Sequence, residues 1–296
     1  MLPPSAFSLQ PLGSPSAWPA PAKLNLCLHI VGRRADGYHL LQSAIQFIDL
    51  CDELRFYRRP QGVIERVVGP DNVPPESDLV IRAARALAAQ SQTAVGVAVE
   101  LHKRIPMQAG LGGGSSDAAT ALVALNELWD THLSIDELAA IGLQLGADVP
   151  VFVRGHAAWV EGVGERVAPA DYRESVFLVI KPNANIATTE IFSAAELTRN
   201  TPVTTIRAFR EQGGRNDCTA VVRARYPEVA EALDWLGQFS AATLTGTGAC
   251  VFAGMADRVT AQAVAAQAPT KWRAYVVQGL NRSPLLARVE RERANG

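Results

Sequence analysis

The chain has little of what marks several classes of protein. Its 28 Lys and Arg nearly balance 29 Asp and Glu, for a net charge of −1, so it lacks the basic surface with which nucleic-acid-binding proteins contact phosphates. No apolar run approaches the ~18 residues of a membrane span. The first twenty residues hold five prolines and no Lys or Arg, unlike the basic and then apolar pattern of a signal peptide. We therefore expect a cytoplasmic protein with neither nucleic-acid nor membrane partners.

Cysteine is scarce and scattered. The four cysteines, Cys27, Cys51, Cys218 and Cys250, form no C-x-x-C pair and no cluster with the histidines. This spacing argues against a structural zinc site and against a disulfide framework, and it fits a reducing compartment. We assign no metal ligand from the sequence.

What the chain does have is enough length and apolar content for two domains. It has 296 residues, 48% of them hydrophobic. Strand and helix patterns alternate without the regular spacing of a doubly wound sheet, which predicts an α+β fold. We expect a disordered lead-in over residues 1–17, an N-terminal domain over residues 18–165 and a C-terminal domain over residues 166–296.

The chain is organised around a glycine-dense segment between a strand and a helix. A half-buried strand pattern over 95–101 precedes it, and a helical apolar stripe over 118–128 follows it. Four glycines within residues 110–114 let the backbone take positive φ angles and bring its N–H groups against an anion. Ser115 and Ser116 are good N-cap residues, and the start of the helix adds free N–H groups. The segment predicts a phosphate cradle, formed by Pro106, Met107, Gln108, Ala109, Gly110, Leu111, Gly112, Gly113, Gly114, Ser115 and Ser116.

Two common phosphate loops do not match this segment. A Walker A loop ends in Gly-Lys-Ser/Thr, but Gly114 is followed directly by Ser115. The dinucleotide fingerprint G-x-G-x-x-G, counted from Gly110, places Ser115 where its last glycine belongs. The local pattern by itself also leaves a purely structural turn open.

The order P-x-x-x-G-L-G-G-G-S-S resembles the ATP-binding loop of the GHMP kinases, the family of galactokinases, homoserine kinases and mevalonate kinases. The resemblance covers roughly residues 18–286, with five motif stretches in the family's order. It implies an N-terminal domain like the second domain of ribosomal protein S5 and a ferredoxin-like C-terminal domain. It also implies ATP as co-substrate, with Mg²⁺ to offset the phosphate charge. An RNA-binding role, which the ribosomal-protein-like fold suggests, is disfavoured by the neutral net charge.

The resemblance assigns two catalytic residues. Lys23 stands at the start of a predicted strand, where an ordinary solvated lysine is the simpler local interpretation. Asp148 lies in an apolar segment, where a carboxylate is costly unless it is paired or used, and where an N-cap or a satisfied buried aspartate is equally open. The motifs Pro-Ala-Lys-Leu-Asn-Leu and Gly-Ala-Asp-Val-Pro-Val-Phe match those that carry the family's phosphoryl-transfer lysine and catalytic aspartate.

A further motif resembles one branch of the family. The pattern R-x-D-G-Y-H, over residues 34–39, is typical of the kinases that phosphorylate a cytidine diphosphate-linked methylerythritol on the non-mevalonate route to isoprenoids. In that branch the tyrosine, here Tyr38, stacks on cytosine and the histidine, here His39, hydrogen-bonds to it, roles that suit both side chains. Taken locally, both would be packing or surface residues. The same resemblance assigns Asn25, Thr188 and Phe192 to the substrate, and Gly246, Thr247 and Gly248 to the shape of the active site.

Two aspartates depart from the family pattern, since relatives usually have asparagine at both positions. Asp78 lies near the expected adenine site, and an ionised aspartate accepts hydrogen bonds but donates none. We expect one adenine contact to be missing or mediated by water. Asp117 follows the phosphate loop, so it must point away from the triphosphate or face a cation.

The expected reaction is transfer of the γ-phosphoryl group of ATP to the 2-hydroxyl of the cytidine-linked substrate. One alternative is another small-molecule GHMP kinase of the homoserine or mevalonate type, which would not need residues 36–39. A second is a ligand sensor without activity, which the presence of Lys23 and Asp148 argues against. We expect the protein to act as a monomer or a weak homodimer.

Overall fold

Two long paired strands run through the whole fold. In this computed structural model, which describes residues 10–295, β1 (Trp18–Arg33) and β2 (His39–Arg59) pair antiparallel over almost their full length. The second strand also pairs with three later strands. It therefore belongs to both halves of the molecule and fixes one half against the other.

The remaining elements follow in chain order. The strands are β3 (Ile64–Val68), β4 (Gly96–His102), β5 (Ala158–Gly162), β6 (Arg166–Pro169), β7 (Val176–Lys181), β8 (Ala242–Leu244), β9 (Val251–Met255) and β10 (Arg273–Leu280). The helices are α1 (Leu79–Ser91), α2 (Gly113–Leu128), α3 (Ile135–Leu145), α4 (Val149–Arg154), α5 (Thr188–Ser193), α6 (Ile206–Gln212), α7 (Thr219–Arg225), α8 (Pro227–Gly237), α9 (Arg258–Ala265) and α10 (Pro284–Asn295).

The N-terminal half is a layer of helices on strands. Helices α1 to α4 pack their apolar residues against β1, β2 and β4 in one continuous core. The spacing of Ser134 and Glu137 predicts a capping box, and in the structure Ser134 is the N-cap of α3 with reciprocal bonds to Glu137. Leu285 and Val289 of α10 join this same core. The last helix, which lies in the sequence segment assigned to the second domain, thus packs on the first.

The C-terminal half is an antiparallel sheet in the order β10-β7-β9-β8. Helices α5 to α8 connect β7 to β8, and α9 connects β9 to β10. Numbered from β7, this is a β-α-β-β-α-β unit with strand order 4-1-3-2, the ferredoxin-like arrangement. The α+β prediction and the expected ferredoxin-like C-terminal half are confirmed.

Two details differ from the sequence prediction. The apolar spacing from Val229 onward predicts one helix after Asn216 and Asp217, but the structure has two helices there, α7 and α8. Pro227 lacks a backbone N–H and opens a separate helix, α8. Residues 10–17, predicted to be disordered, lie against the sheet, where the N–H of Leu12 donates to the carbonyl of Phe56 at 2.9 Å.

The other part of that predicted lead-in, residues 1–9, lies outside the described residues. Among residues 10–295, no helix is both long and apolar enough to cross a membrane.

Candidate active site

A cavity of about 620 Å³ opens between the two halves. Its walls come from the start of β1, the loop before α2, the start of α4, the start of α5 and the loop after β8. Of the residues that the sequence assigns to a site, it is lined by Lys23, Asn25, Pro106, Met107, Gln108, Ala109, Gly110, Leu111, Gly112, Gly113, Gly114, Ser115, Asp148, Thr188, Phe192, Gly246 and Thr247. Ser116, Tyr38, His39 and Gly248 are not among its lining residues.

The glycine-dense loop leads directly into the N-terminus of α2. Gly110 and Gly112 have φ angles of 75° and 72°, and Gly112 occupies the N-cap position without a side-chain cap. The first backbone N–H groups of a helix have no partner within it, so the amides of Gly113, Gly114 and Ser115 are available to an anion in the cavity, whereas that of Ser116 donates to the carbonyl of Gly112. The expectation that Ser115 or Ser116 caps this helix is wrong, because the left-handed glycine starts the helix earlier and both serines lie in its first turn.

Glycine is needed here for space as well as for conformation. A Cβ on Gly110 would lie 2.1 Å from the carbonyl oxygen of Thr245. A Cβ on Gly112 would lie 2.9 Å from the ring of Phe152 and 3.0 Å from Cε of Lys23. The loop is therefore fitted closely between the stem of Lys23 and the segment after β8.

Lys23 and Asp148 face each other at the centre of the cavity. Lys23 Nζ lies 3.4 Å from Asp148 Oδ2, donates to the carbonyl of Gly110 at 3.1 Å and contacts Asn25 Oδ1. Asp148 stands at the N-cap position of α4, but its side chain makes no capping bond. The carboxylate is thus directed to the lysine and the cavity instead of to its own helix.

Asn25 is held by a chain of hydrogen bonds behind the lysine. Its Nδ2 donates to Ser43 Oγ at 2.8 Å, and that hydroxyl donates to the carbonyl of Cys27 at 2.6 Å. The amide orientation leaves Oδ1 as the acceptor beside Lys23. This network aims the ammonium and Asn25 at the same part of the cavity.

The segment after β8 closes the opposite wall. Asn216 donates from Nδ2 to the carbonyls of Leu244 and Gly246, both at 2.8 Å. Thr247 and Thr188 bring their hydroxyl oxygens within 3.1 Å of each other. Asn216 therefore fixes the loop that carries Gly246.

The residues assigned to the cytidine form a separate group at one end. The side chain of Tyr38 is 65% exposed. The ring of His39 stacks on that of Phe192, with centroids 5.0 Å apart and an interplanar angle of 26°. Arg199 donates from Nε to His39 Nε2 at 3.1 Å. Phe192 lines the cavity, so it links this aromatic group to the space that holds Lys23 and Asp148.

Near α1, the cavity is lined by Asp78, which forms a buried ion pair with Arg66. Arg66 and Asp78, with side chains 7% and 6% exposed, meet at 2.5 Å. The other carboxylate oxygen of Asp78 caps α1 by accepting from the N–H of Val80 at 2.8 Å. Both oxygens of this aspartate are committed to the protein's own donors, which explains how the chain accommodates it near the expected adenine site.

Asp117 faces a cation, as its position requires. Lys103 Nζ lies 2.6 Å from Asp117 Oδ2 and also contacts Asp52. Burial raises the pKa of the Asp117 carboxyl well above its ordinary value, against the charge of Lys103, and Asp52 raises it further. Burial alone would lower the pKa of Lys103, but the two carboxylates together raise it. The lysine therefore stays charged beside the phosphate loop.

Sequence reasoning missed three cations of this site: Lys103, Arg66 and Arg199. Lys103 stands three residues before Pro106, and a positive charge just ahead of a glycine-rich loop is a signal that could have identified it. No local pattern marks Arg66 or Arg199, because their partners come from elsewhere in the chain.

Comparison with known proteins gives matches over most of the chain. The model of the GHMP kinases N terminal domain matches residues 78–156, and that of the GHMP kinases C terminal domain matches residues 194–274. The 4-diphosphocytidyl-2-C-methyl-D-erythritol kinase of Nitrosococcus oceani is 52% identical over 274 residues, which cover 93% of this chain and 98% of that protein. The protein of the same name from Marinobacter nauticus is 54% identical over 272 residues, covering 90% and 95%.

Solved structures show the same likeness. A crystal structure of 4-(cytidine 5'-diphospho)-2C-methyl-D-erythritol kinase superimposes with a TM-score of 0.79 at 30% identity, covering 89% of this chain and 99% of that one. A crystal structure of mevalonate kinase superimposes with a TM-score of 0.67 at 14% identity, covering 90% and 100%. At that identity the second likeness shows the fold alone.

Proposed function

Because the chain belongs to the GHMP kinases, in the branch of the 4-diphosphocytidyl-2-C-methyl-D-erythritol kinases, we propose that its cavity transfers the γ-phosphoryl group of ATP to the 2-hydroxyl of that cytidine-linked polyol. The protein is an ATP-dependent kinase of the non-mevalonate route to isoprenoid precursors. The observation that carries the proposal is the pairing of Lys23 with Asp148 in the same cavity as the free amides at the start of α2.

The reaction needs positioning and charge stabilisation more than covalent catalysis. Amides of the loop from Gly110 to Ser115 hold the phosphates of ATP. Asp148 accepts the proton of the 2-hydroxyl or orients that group for attack. Lys23 places a positive charge beside the transferring phosphoryl group and its developing negative charge.

The cytidine lies at the far end of the cavity in this proposal. Tyr38 and Phe192 supply aromatic faces for the base, and His39 supplies a hydrogen bond to its edge. Asn25 and Thr188 line the path between this end and the catalytic pair. The exposure of Tyr38 supports a ring that becomes covered only when the base is present.

Mg²⁺ enters as the MgATP complex, which is the co-substrate. Among residues 10–295, no three His, Cys, Asp or Glu side chains cluster closely enough to hold a metal ion. We therefore propose that the phosphates supply most of the ion's ligands, and that the ion offsets phosphate charge that the loop amides do not neutralise.

We place the reaction in the cytoplasm. Cys27, Cys51, Cys218 and Cys250 are all free thiols, and unpaired cysteines are typical of a reducing compartment. Burial raises the pKa of each thiol to about 12, so none is poised to act as a thiolate.

A phosphorylation assay tests the proposal directly. The purified protein, MgATP and 4-diphosphocytidyl-2-C-methyl-D-erythritol should give ADP and a new phosphomonoester, seen by ³¹P NMR as a third phosphorus signal on the product. CMP should compete with this substrate. Turnover of homoserine or mevalonate in its place would favour another small-molecule kinase, and nucleotide binding without ADP formation with any of the three would favour a sensor.

A further inference from the structure

Arg199 uses every hydrogen-bond donor it has. A guanidinium carries five N–H donors and no acceptor. Nε donates to His39 Nε2 at 3.1 Å, and the two terminal nitrogens donate only to backbone carbonyls. Those carbonyls belong to Phe192 at 3.1 Å, Ala194 at 2.6 Å, Ala195 at 3.4 Å and Leu197 at 3.0 Å. Nothing remains to bind a ligand, so this side chain can act only through the residues it holds.

Its bond to His39 fixes where the imidazole carries its proton. Arg199 can only donate, so His39 Nε2 must accept and cannot carry a hydrogen in this arrangement. Burial lowers the pKa of His39, and the charges of Arg199 and Arg33 lower it further, so the ring is neutral at neutral pH. A neutral imidazole has one N–H, which must then be at Nδ1. Within residues 10–295, no protein group hydrogen-bonds to that atom.

The same guanidinium contacts both residues whose rings stack in this pocket. His39 begins β2, whereas Phe192 lies near the end of α5, more than 150 residues later in the chain. Arg199 binds the ring nitrogen of the first and the backbone carbonyl of the second. Arg199 therefore links the ring of His39 to the backbone of the residue whose ring stacks on it, with centroids 5.0 Å apart.

We propose that Arg199 is the positioning residue that makes the base pocket select cytidine over uridine, by holding His39 as a hydrogen-bond donor through Nδ1. The inference rests on the proposed function. Cytosine presents an acceptor at N3, whereas uracil presents an N–H there. A donor fixed at Nδ1 of His39 can hydrogen-bond to N3 of cytosine, but it meets a second donor at N3 of uracil. Uridine should therefore bind much more weakly, because the imidazole N–H and the uracil N–H are both left unpaired.

The wild-type protein gives the first test without any substitution. The chain has five histidines, so ¹⁵N-edited NMR of the imidazoles is tractable, and His39→Gln assigns the signals of His39. At neutral pH we expect Nδ1 of His39 to show the signature of a protonated nitrogen and Nε2 that of an acceptor. The reverse pattern in the wild-type protein would overturn the proposal.

The second test compares base selectivity with and without the guanidinium. The inhibition constants of CMP and UMP are measured against the cytidine-linked substrate in the wild type and in Arg199→Met. The preference for CMP should fall at least ~10-fold in the variant, the scale of one buried hydrogen bond. The substitution should raise the KM for the cytidine-linked substrate more than it lowers kcat, because it acts on the base pocket and leaves the pairing of Lys23 with Asp148 in place.

Arg225→Met is the matched control. Arg225 binds Glu196, on the same segment, with an Nε to Oε1 distance of 2.8 Å, but it does not contact His39. Its loss should leave the CMP to UMP ratio within ~2-fold of the wild type, well below the change expected for one buried hydrogen bond. Equal loss of selectivity in both variants would overturn the proposal, because the segment would then act only as a scaffold. An unchanged CMP to UMP ratio in a folded Arg199→Met variant would also overturn it.

Failure of the inference and failure of the proposed function are distinguishable. If neither CMP nor UMP competes with the substrate in the wild type, the assignment of a cytidine pocket is wrong. If both compete equally while the substrate is phosphorylated, the kinase stands and the role of Arg199 does not. Should Arg199→Met fail to fold by circular dichroism, the wild-type NMR pattern and the wild-type ratio still decide.

Discussion

The ammonium of Lys23 lies 3.4 Å from the carboxylate of Asp148, and the two groups differ sharply in exposure, with side chains 3% and 38% exposed. The lysine is held from behind by Asn25 and by the carbonyl of Gly110. The aspartate makes no capping bond to its own helix. The pair thus consists of a fixed, buried cation and an acid that reaches the open part of the cavity, where an acceptor alcohol would lie.

Substitution of either member of this pair should abolish most of the activity. We expect Asp148→Asn or Lys23→Ala to lower turnover by at least ~10²-fold, the usual scale for a group that handles a proton or a developing charge. Steady-state rates with MgATP and the cytidine-linked substrate measure the effect, and thermal unfolding shows whether the variants stay folded.

Asp136→Asn is the control for the aspartate. Asp136 is exposed and pairs with Arg154 of α4 at 2.7 Å, so its neutralisation changes a charge near the same helix but outside the cavity. Its turnover should match that of the wild type. Near-normal turnover from a purified Asp148→Asn variant would refute the catalytic role of Asp148.

A methyl group on Gly110 should break the contact between the phosphate loop and the segment after β8. Its φ angle is 75°, and the added Cβ would meet the carbonyl oxygen of Thr245 at 2.1 Å. The new methyl group would collide with a backbone atom, which cannot move aside as a flexible side chain could. We therefore expect Gly110→Ala to lower the free energy of unfolding by ~2 kcal/mol or more and to raise the KM for ATP. Urea unfolding and initial rates measure the two effects.

Gly237→Ala serves as its control, since no atom lies within 4 Å of the added Cβ there. It should change the free energy of unfolding by less than ~1 kcal/mol. If the two variants behave alike, the loop is not as closely fitted as the structure indicates.

The buried pair of Arg66 and Asp78 should show strong energetic coupling. Arg66→Met leaves a buried carboxylate without its partner, which costs ~3 kcal/mol or more. In the double variant Arg66→Met, Asp78→Asn, the asparagine oxygen still caps α1 and no charge is stranded, so most of that loss should be recovered. A double-mutant cycle by urea unfolding should give a coupling of at least ~2 kcal/mol.

An exposed pair gives the comparison. Arg104 and Glu53 meet at 2.8 Å with side chains 61% and 28% exposed, and removal of Arg104 should cost less than ~1 kcal/mol. Coupling between Arg66 and Asp78 no larger than this would show that their pairing does not stabilise the fold.

The features of the site that depend on neighbouring residues in the chain could be predicted from the sequence. Clustered glycines favour positive φ angles and leave amides exposed, so an anion-binding loop could be predicted at residues 110–114, and the structure has the positive φ angles at Gly110 and Gly112. Lys23 and Asp148 could be predicted to act together because each lies in a distinctive short motif, and the structure brings them to one cavity. Their distance could not be predicted, since β1 and α4 approach each other only through packing of the N-terminal core.

Residue pairs that meet only through tertiary packing could not be predicted from the sequence. Arg199 meets His39 only because the segment after α5 folds back over the start of β2, and no spacing along the chain records this. The start of α2 was misplaced for a related reason: serine is a better N-cap than glycine by preference, but only glycine suits the left-handed backbone at Gly112.

The raised pKa of Asp117 makes a prediction about stability and pH. The native protein holds this proton at pH values where the unfolded chain, with an ordinary value of 3.8, has lost it. The native state then binds more protons than the unfolded state, so the free energy of unfolding falls as pH rises from about 4 toward the raised pKa, by up to ~1.4 kcal/mol per pH unit for one proton. Asparagine binds no such proton, so the stability of Asp117→Asn relative to the wild type should increase with pH across that window.

Urea unfolding of both proteins over a series of pH values measures this difference. The Oδ1 atom of Asp117 has no hydrogen-bond partner among the described residues. The side-chain amide in Asp117→Asn therefore replaces a carboxyl group that makes hydrogen bonds through only one of its oxygens. Lys103 keeps Asp52 as its anionic partner in the variant, and Asp52 itself accepts from the N–H groups of Arg104 and Ile105. Parallel pH curves for the two proteins would mean that Asp117 is ionised beside Lys103, and that the phosphate loop lies next to a net negative charge instead of a balanced pair.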